Sequence, residues 1–232
     1  MEVSIDQALD LEPRYAEAYV IMGRIHISRY DVEHARDALK NATLLGSESP
    51  WLYLFYADIL KGEAKWNASR LLYKVVIDAE ITDKSAYHKA LQELATNYQA
   101  TGDYETAELW FQRAIEFEPS PTCLNNYANF LIYRKADFKK AIEVGERSLE
   151  IASTEEGKSV LGTAYYARWA LVNELSGECA AQPLFDKAHE IFPELLTAMG
   201  NLSRFPKTRE VSKILDKKIR QLNEVGKPKR KA

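Results

Sequence analysis

The stretch ASTEEGKS, Ala152 to Ser159, places a small residue, four others and then Gly-Lys-Ser, the spacing of a phosphate-binding loop. Such a loop works because it leaves a buried strand and opens a helix, whose first N–H groups cradle phosphate oxygens. Here the preceding residues, FKKAIEVGERSLEI, have a helical pattern, and the usual leading glycine is Ala152. A plain turn between helices is expected instead of a nucleotide site. His26, His34, His88 and His189 are read as sitting in different repeats of the chain, without the Cys/His or His/His spacing of a metal centre. Cys123 and Cys179 show no paired spacing. No serine sits in a nucleophile elbow, and the acidic residues are dispersed. No catalytic residue, cofactor or metal ligand is assigned, and an enzyme is not expected from this chain.

The bulk properties narrow what remains. Of the 232 residues, 46% are hydrophobic and 28% charged, enough apolar material for a large core. No run of about 18 apolar residues occurs, so no membrane-spanning helix is expected. The acidic start MEVSIDQALDLEP lacks the basic and apolar regions of a signal peptide. Two thiols without an export signal point to a reducing, cytoplasmic compartment. The sequons at Asn41, Asn67 and Asn201 are then chance matches. The formal charge of −3 hides an asymmetry: from Arg204 onward eleven Lys/Arg face three Asp/Glu, so that segment carries +8 and the first 203 residues −11.

The elements that would position any site follow from a period. Ala8, Ala42, Val76, Ala114, Ser148 and Ala188 are spaced by 34, 34, 38, 34 and 40 residues. Seven residues before them stand Ala35, Ser69, Ala107, Ala141 and Ala181, and Pro13, Pro119 and Pro193 follow three of them. Leu91, Leu94, Ala95 and Tyr98 form the i, i+3, i+4, i+7 stripe of an amphipathic helix. Gly102-Asp103 makes the turn, and Ala107, Phe111 and Ala114 let a second helix approach closely. Ser49-Pro50, Ser120-Pro121 and a capping box Ser153-Thr-Glu-Glu156 mark helix starts. The spacings of 38 and 40 predict longer first helices after Asp83 and Thr154, and an insertion is expected near Arg134-Lys135. Gly145, standing where an aromatic residue recurs, predicts looser packing.

The pattern resembles the tetratricopeptide repeat (TPR) family, most clearly from His88 to Pro121. The resemblance implies an all-α fold, a right-handed superhelical array of antiparallel helix-turn-helix repeats with C-terminal capping helices. Residues 1–15 read as the second helix of an incomplete repeat, which suggests a fragment of a longer protein or an odd gene start. Five repeats follow at 16–49, 50–87, 88–120, 121–153 and 154–193, then a capping helix pair at 194–225 and a basic tail at 226–232. His26 occupies a core position of this family.

The same resemblance implies a non-catalytic scaffold or adaptor that takes a peptide or protein segment in a concave groove lined by the first helices. Stepping 100° per residue away from the buried stripe, that groove is expected to hold Val20, Arg24 and Ile27, then Trp51, Leu54, Phe55 and Asp58. Lys89, Gln92, Glu93 and Thr96 follow, then Asn125, Asn126 and Asn129. The three asparagines are the strongest candidates, because carboxamides pair with both N–H and C=O of an extended peptide. Trp51, Leu54 and Phe55 form a candidate apolar pocket. The Lys/Asn clamp that grips chaperone tails in one branch of the family is matched here only by Lys89, and Glu93 would repel a carboxylate. LNNYANFL, Leu124 to Leu131, is similar to a stretch in bacterial pilus-assembly proteins, too short to carry that function.

The expected partner is a protein or peptide, with no small-molecule substrate; neither its identity nor the oligomeric state is written in the sequence. One competing class is an accessory region of a larger enzyme or assembly factor. Another is a nucleic-acid binder using Lys213, Lys217 and Arg220, against which the acidic body argues. KPKRK, Lys227 to Lys231, resembles a nuclear import signal.

Overall fold

The structure, a computed structural model, describes residues 5–225, so the Lys227–Lys231 stretch lies outside the described residues. All regular elements among them are helical, with no strand. The chain divides into two compact units, residues 1–117 and 118–232.

The first unit contains α1 (Ile5–Leu11), α2 (Ala16–Ser28), α3 (Val32–Leu44), α4 (Pro50–Gly62), α5 (Trp66–Asp78), α6 (Lys84–Ala100) and α7 (Tyr104–Phe117). Helices pair as hairpins, α2 with α3, α4 with α5 and α6 with α7, and each first helix also touches the next, α2 against α4 and α4 against α6. Small residues make this possible. Gly23 lies against Leu39, where an added Cβ would come within 2.5 Å of Leu39 Cδ2. In the next two hairpins Ala57 and Ala95 hold the equivalent place, with Tyr73 and Phe111 fully buried opposite. Two apolar clusters result, one around Val20, Leu39, Leu52 and Phe55, the other around Leu54, Tyr73, Ala90 and Leu94.

The second unit contains α8 (Pro121–Phe130), continued by a π-helical turn (Leu131–Lys135), then α9 (Phe138–Ile151), α10 (Glu155–Ser176), α11 (Glu178–Ile191) and α12 (Leu195–Ser203). A 3₁₀ turn (Pro206–Thr208) leads into α13 (Arg209–Val225). The first of these helices packs on α9, and α10 packs on α9, α11, α12 and α13.

Four of the hairpin turns, those joining α2 to α3, α4 to α5, α6 to α7 and α8 to α9, share a left-handed residue. Tyr30, Ala64, Gly102 and Ala136 all have positive φ, at 60°, 56°, 84° and 57°. The next residue in each, Asp31, Lys65, Asp103 or Asp137, immediately precedes the second helix. Its N–H returns to the carbonyl five residues back, His26, Leu60 or Tyr98, but six back, to Leu131, in the fourth turn. The insertion expected at Arg134-Lys135 is therefore absorbed as a π-turn, which widens one helical turn and leaves the following repeat in register.

The longer first helices appear as expected: α6 has 17 residues against 13 in α2 and α4, and α10 has 22. Two local expectations are corrected. Packing at Gly145 is not loose, because Leu161 of α10 fills the space and an added Cβ would meet its Cδ1 at 3.1 Å. The cap of α10 is Thr154, whose hydroxyl accepts from Gly157 N–H at 3.0 Å, so no acidic residue closes a capping box. The phosphate-loop look-alike is this helix start, preceded by α9. Ser120 caps α8 through Cys123 N–H, whereas Ser49 opens α4 without a side-chain cap.

Candidate functional site

In the first unit a recess of about 290 Å³ opens between α2 and α4, lined by Glu17, Val20, Ile21, Arg24, Ser49, Trp51 and Phe55. Val20 and Phe55 form its floor and belong mostly to the core, while Ile21 and Arg24 are exposed at its edge. Trp51 is held in place because its indole N–H donates to Asp83 Oδ2 at 2.7 Å, and its ring tilts against Phe55 at a centroid distance of 5.7 Å. Ile27 is half-buried and packs against the core below. The recess can hold an apolar side chain beside a guanidinium.

Leu54 is not at this surface. It is 1% exposed and packs with Ala57, Tyr73 and Leu94. The simple face-counting argument placed it outward because it allowed for one neighbour, whereas α4 is covered by α5, α2 and α6 together.

Beyond the recess, α4 and α6 share a charged cluster instead of an open clamp. The Glu93 carboxylate accepts from both Lys61 and Lys89. Burial would raise the Glu93 carboxyl, but Lys61 and Lys89 outweigh it and hold it below the ordinary range. Asp58 is pushed the other way, first by burial and then by Glu93, although the Tyr73 hydroxyl donates to it at 2.7 Å. The Gln92 amide lies 3.1 Å from His88 Nε2, and the Thr96 hydroxyl donates to Glu93 O at 2.9 Å. The cationic side chains here are engaged, so a carboxylate ligand would have to displace Glu93.

In the second unit Asn125 is withdrawn from any groove. It is 1% exposed, and its Oδ1 accepts from the Ser148 hydroxyl at 2.7 Å. The carboxamide serves the seam between α8 and α9, where a buried polar group must be paired. Asn126 remains half-buried, and Asn129 lines a recess of about 370 Å³ together with Tyr133, Glu156, Ser159, Val160, Thr163, Asn201, Arg204 and Phe205. Tyr133 stacks on Phe205 with centroids 4.6 Å apart, and burial pushes its phenol up to about 12, so it stays a protonated donor. Apart from Asn129, none of this lining was expected from sequence to line a binding site. The π-turn shifts Tyr133 relative to its repeat, and α10 is buried on so many sides that it shows no clean amphipathic register.

The histidines also need correction. His26 and His34 belong to one hairpin, and its turn brings both to Asp31, within hydrogen-bonding distance of its two oxygens. Sequence spacing hid this because the turn reverses the chain between them.

Residues 88–121 match the family model of the tetratricopeptide repeat. Solved structures share the fold. PilF of Pseudomonas aeruginosa aligns with TM-score 0.62 at 11% identity over 84% of this chain and 85% of its own. A repeat protein from Cytophaga hutchinsonii aligns with TM-score 0.61 at 13% identity over 91% and 84%. YrrB, described as having an unusual peptide-binding site, aligns with TM-score 0.57 at 15% identity over 85% and 96%. Among curated proteins none matches the sequence.

Proposed function

We propose, on the premise that this chain is a tetratricopeptide-repeat protein, that it is a non-catalytic scaffold gripping an extended segment of a partner protein. The α2–α4 recess carries the reading: an open apolar floor beside the exposed guanidinium of Arg24. Its chemistry fits a segment presenting an apolar side chain next to an acidic one, since Ile21 and Trp51 offer apolar surface to desolvate and Arg24 adds a charge-assisted hydrogen bond. The peptide-binding description of YrrB, a protein of the same fold, agrees with this class of ligand. A partner ending in a bare carboxylate is a poorer fit, because Lys61 and Lys89 already flank Glu93. Asn126 and Asn129 are offered as main-chain partners within the second unit.

Selection of a displayed peptide library on the folded protein tests this. Enriched peptides should share an apolar–acidic pair. They should lose at least tenfold in affinity on Ile21→Asp or Arg24→Glu, with no change on Leu109→Ala, an exposed control. Failure to enrich any peptide, or affinity indifferent to Ile21 and Arg24, would remove the recess as the binding site. The accessory-region and nucleic-acid alternatives predict capture that ignores both residues.

A further inference from the structure

Neither recess uses the turn between α2 and α3. His26 stands in the last turn of α2, Asp31 caps α3, and His34 follows in the first turn of α3. Asp31 Oδ1 lies 2.8 Å from His34 Nδ1, and Oδ2 lies 3.1 Å from His26 Nδ1. The two rings stack with centroids 5.4 Å apart and planes inclined by 24°. One ligand atom from each of the three residues falls within 4.8 Å of the others.

The repeat itself does not call for these side chains. The backbone bonds of the turns align His26 with Leu60, Tyr98 and Leu131. His34, three residues beyond the cap, aligns with Ala68, Thr106 and Lys140. An apolar or aromatic group satisfies the first place, and three unrelated side chains serve in the second. Only the aspartate cap is structural, and it recurs at Asp103 and Asp137. Two imidazoles converging on that aspartate are additional to what the fold needs.

We propose that His26 Nδ1, His34 Nδ1 and the Asp31 carboxylate bind a single divalent transition-metal ion of the zinc class. Two imidazoles and one carboxylate form a donor set suited to Zn²⁺ or its neighbours, whereas Ca²⁺ and Mg²⁺ favour all-oxygen shells. Bonds of about 2.0–2.1 Å in a tetrahedron set ligand atoms ~3.3 Å apart. The observed N–O separations, one to each carboxylate oxygen, lie within about half an ångström of that value. His34, the most exposed of the three, has the freedom to bring the two ring nitrogens together. Glu33 and Asp37 add negative potential at His34. Three protein ligands leave one position for water or for a donor from a partner, and the ion would tie α2 to α3 across Tyr30. This inference rests on the first hairpin alone and stands apart from peptide binding in the recess.

The test uses untagged full-length protein, stripped with chelator and titrated with Co²⁺ by visible absorption and with Zn²⁺ by calorimetry. One ion per chain should bind, with a Co²⁺ spectrum of low-coordinate type. His34→Ala should weaken binding at least tenfold with unchanged circular dichroism, and Asp31→Asn, which keeps a capping oxygen, should do the same. His189→Ala and Cys179→Ser should change nothing. Absence of stoichiometric binding, or binding that survives His34→Ala or disappears with Cys179→Ser, would overturn the assignment and leave the cluster a hydrogen-bonded cap.

Discussion

At the scale of single residues, Gly23 and Glu93 each hold a contact that a substitution can test. Gly23 is set by a close approach: Leu39 Cδ2 and Cγ would lie 2.5 and 2.8 Å from an added Cβ, and Leu39 is fully buried with nowhere to swing. Gly23→Ala should therefore destabilise the protein by about 1–3 kcal/mol, the cost of overpacking, despite alanine's better helix propensity. Urea denaturation would read it as a lower midpoint at unchanged slope. Glu93 is the polar counterpart. Replacing it by glutamine leaves Lys61 and Lys89 half-buried without their shared anion, a loss of about 1–3 kcal/mol at pH 7. The pH dependence follows from the sign of its shift. A carboxyl held below its unfolded value of about 4.3 stabilises the fold above that pH and stops doing so as pH falls through the lower folded value. The gap between wild type and Glu93→Gln should thus be full at neutral pH and close in acid; a gap that widens below pH 4 would refute the pairing.

At the scale of the element, the turns carry a correctable strain. Ala64 and Ala136 occupy the left-handed position that Gly102 fills without penalty. Ala64→Gly and Ala136→Gly should each stabilise by about 0.5–1 kcal/mol, since relief of the Cβ clash exceeds the entropy cost of glycine there. Lys65 stands at the N-cap of α5 with no side-chain cap, while Asp31, Asp103 and Asp137 cap their helices. Lys65→Asp should add about 1 kcal/mol, less what its pair with Glu63 contributes, as a rise in melting temperature. The same turns show what sequence could and could not disclose. The 34-residue period, the Ala107–Phe111–Ala114 seam and the longer α6 were legible because small and large residues alternate at helical steps. The burial of Leu54 and Asn125 was not, because a helix packed on several sides has no single buried face to count from. The Tyr133 recess was hidden by a π-turn that only hydrogen bonding reveals, and the His26–Asp31–His34 cluster by a chain reversal.

At the scale of the whole molecule, the charge asymmetry and the terminal helix have to be weighed together. The basic end invites a nucleic-acid reading, yet within α13 Lys213 pairs with Glu210 and Arg220 with Asp216, while Lys218 reaches Glu178 of α11. Of the three cations that reading relied on, Lys213 and Arg220 thus have acidic partners and Lys217 has none among the described residues, and the acidic remainder of the sequence repels a polyanion. What α13 does contribute is apolar cover: Val211 and Leu215 are buried against the second unit, and the helix touches both α10 and α12. A stacked array transmits stability between neighbours, so its last helix should protect the layers beneath it more than distant ones. Leu215→Ala removes a fully buried side chain and should cost about 2–5 kcal/mol within that unit. Hydrogen exchange followed by mass spectrometry should show amides of α10, α12 and α13 losing protection, with those of α2 to α5 close to wild type. Uniform loss along the chain would mean that the two units unfold as one cooperative body and that α13 stabilises all of it.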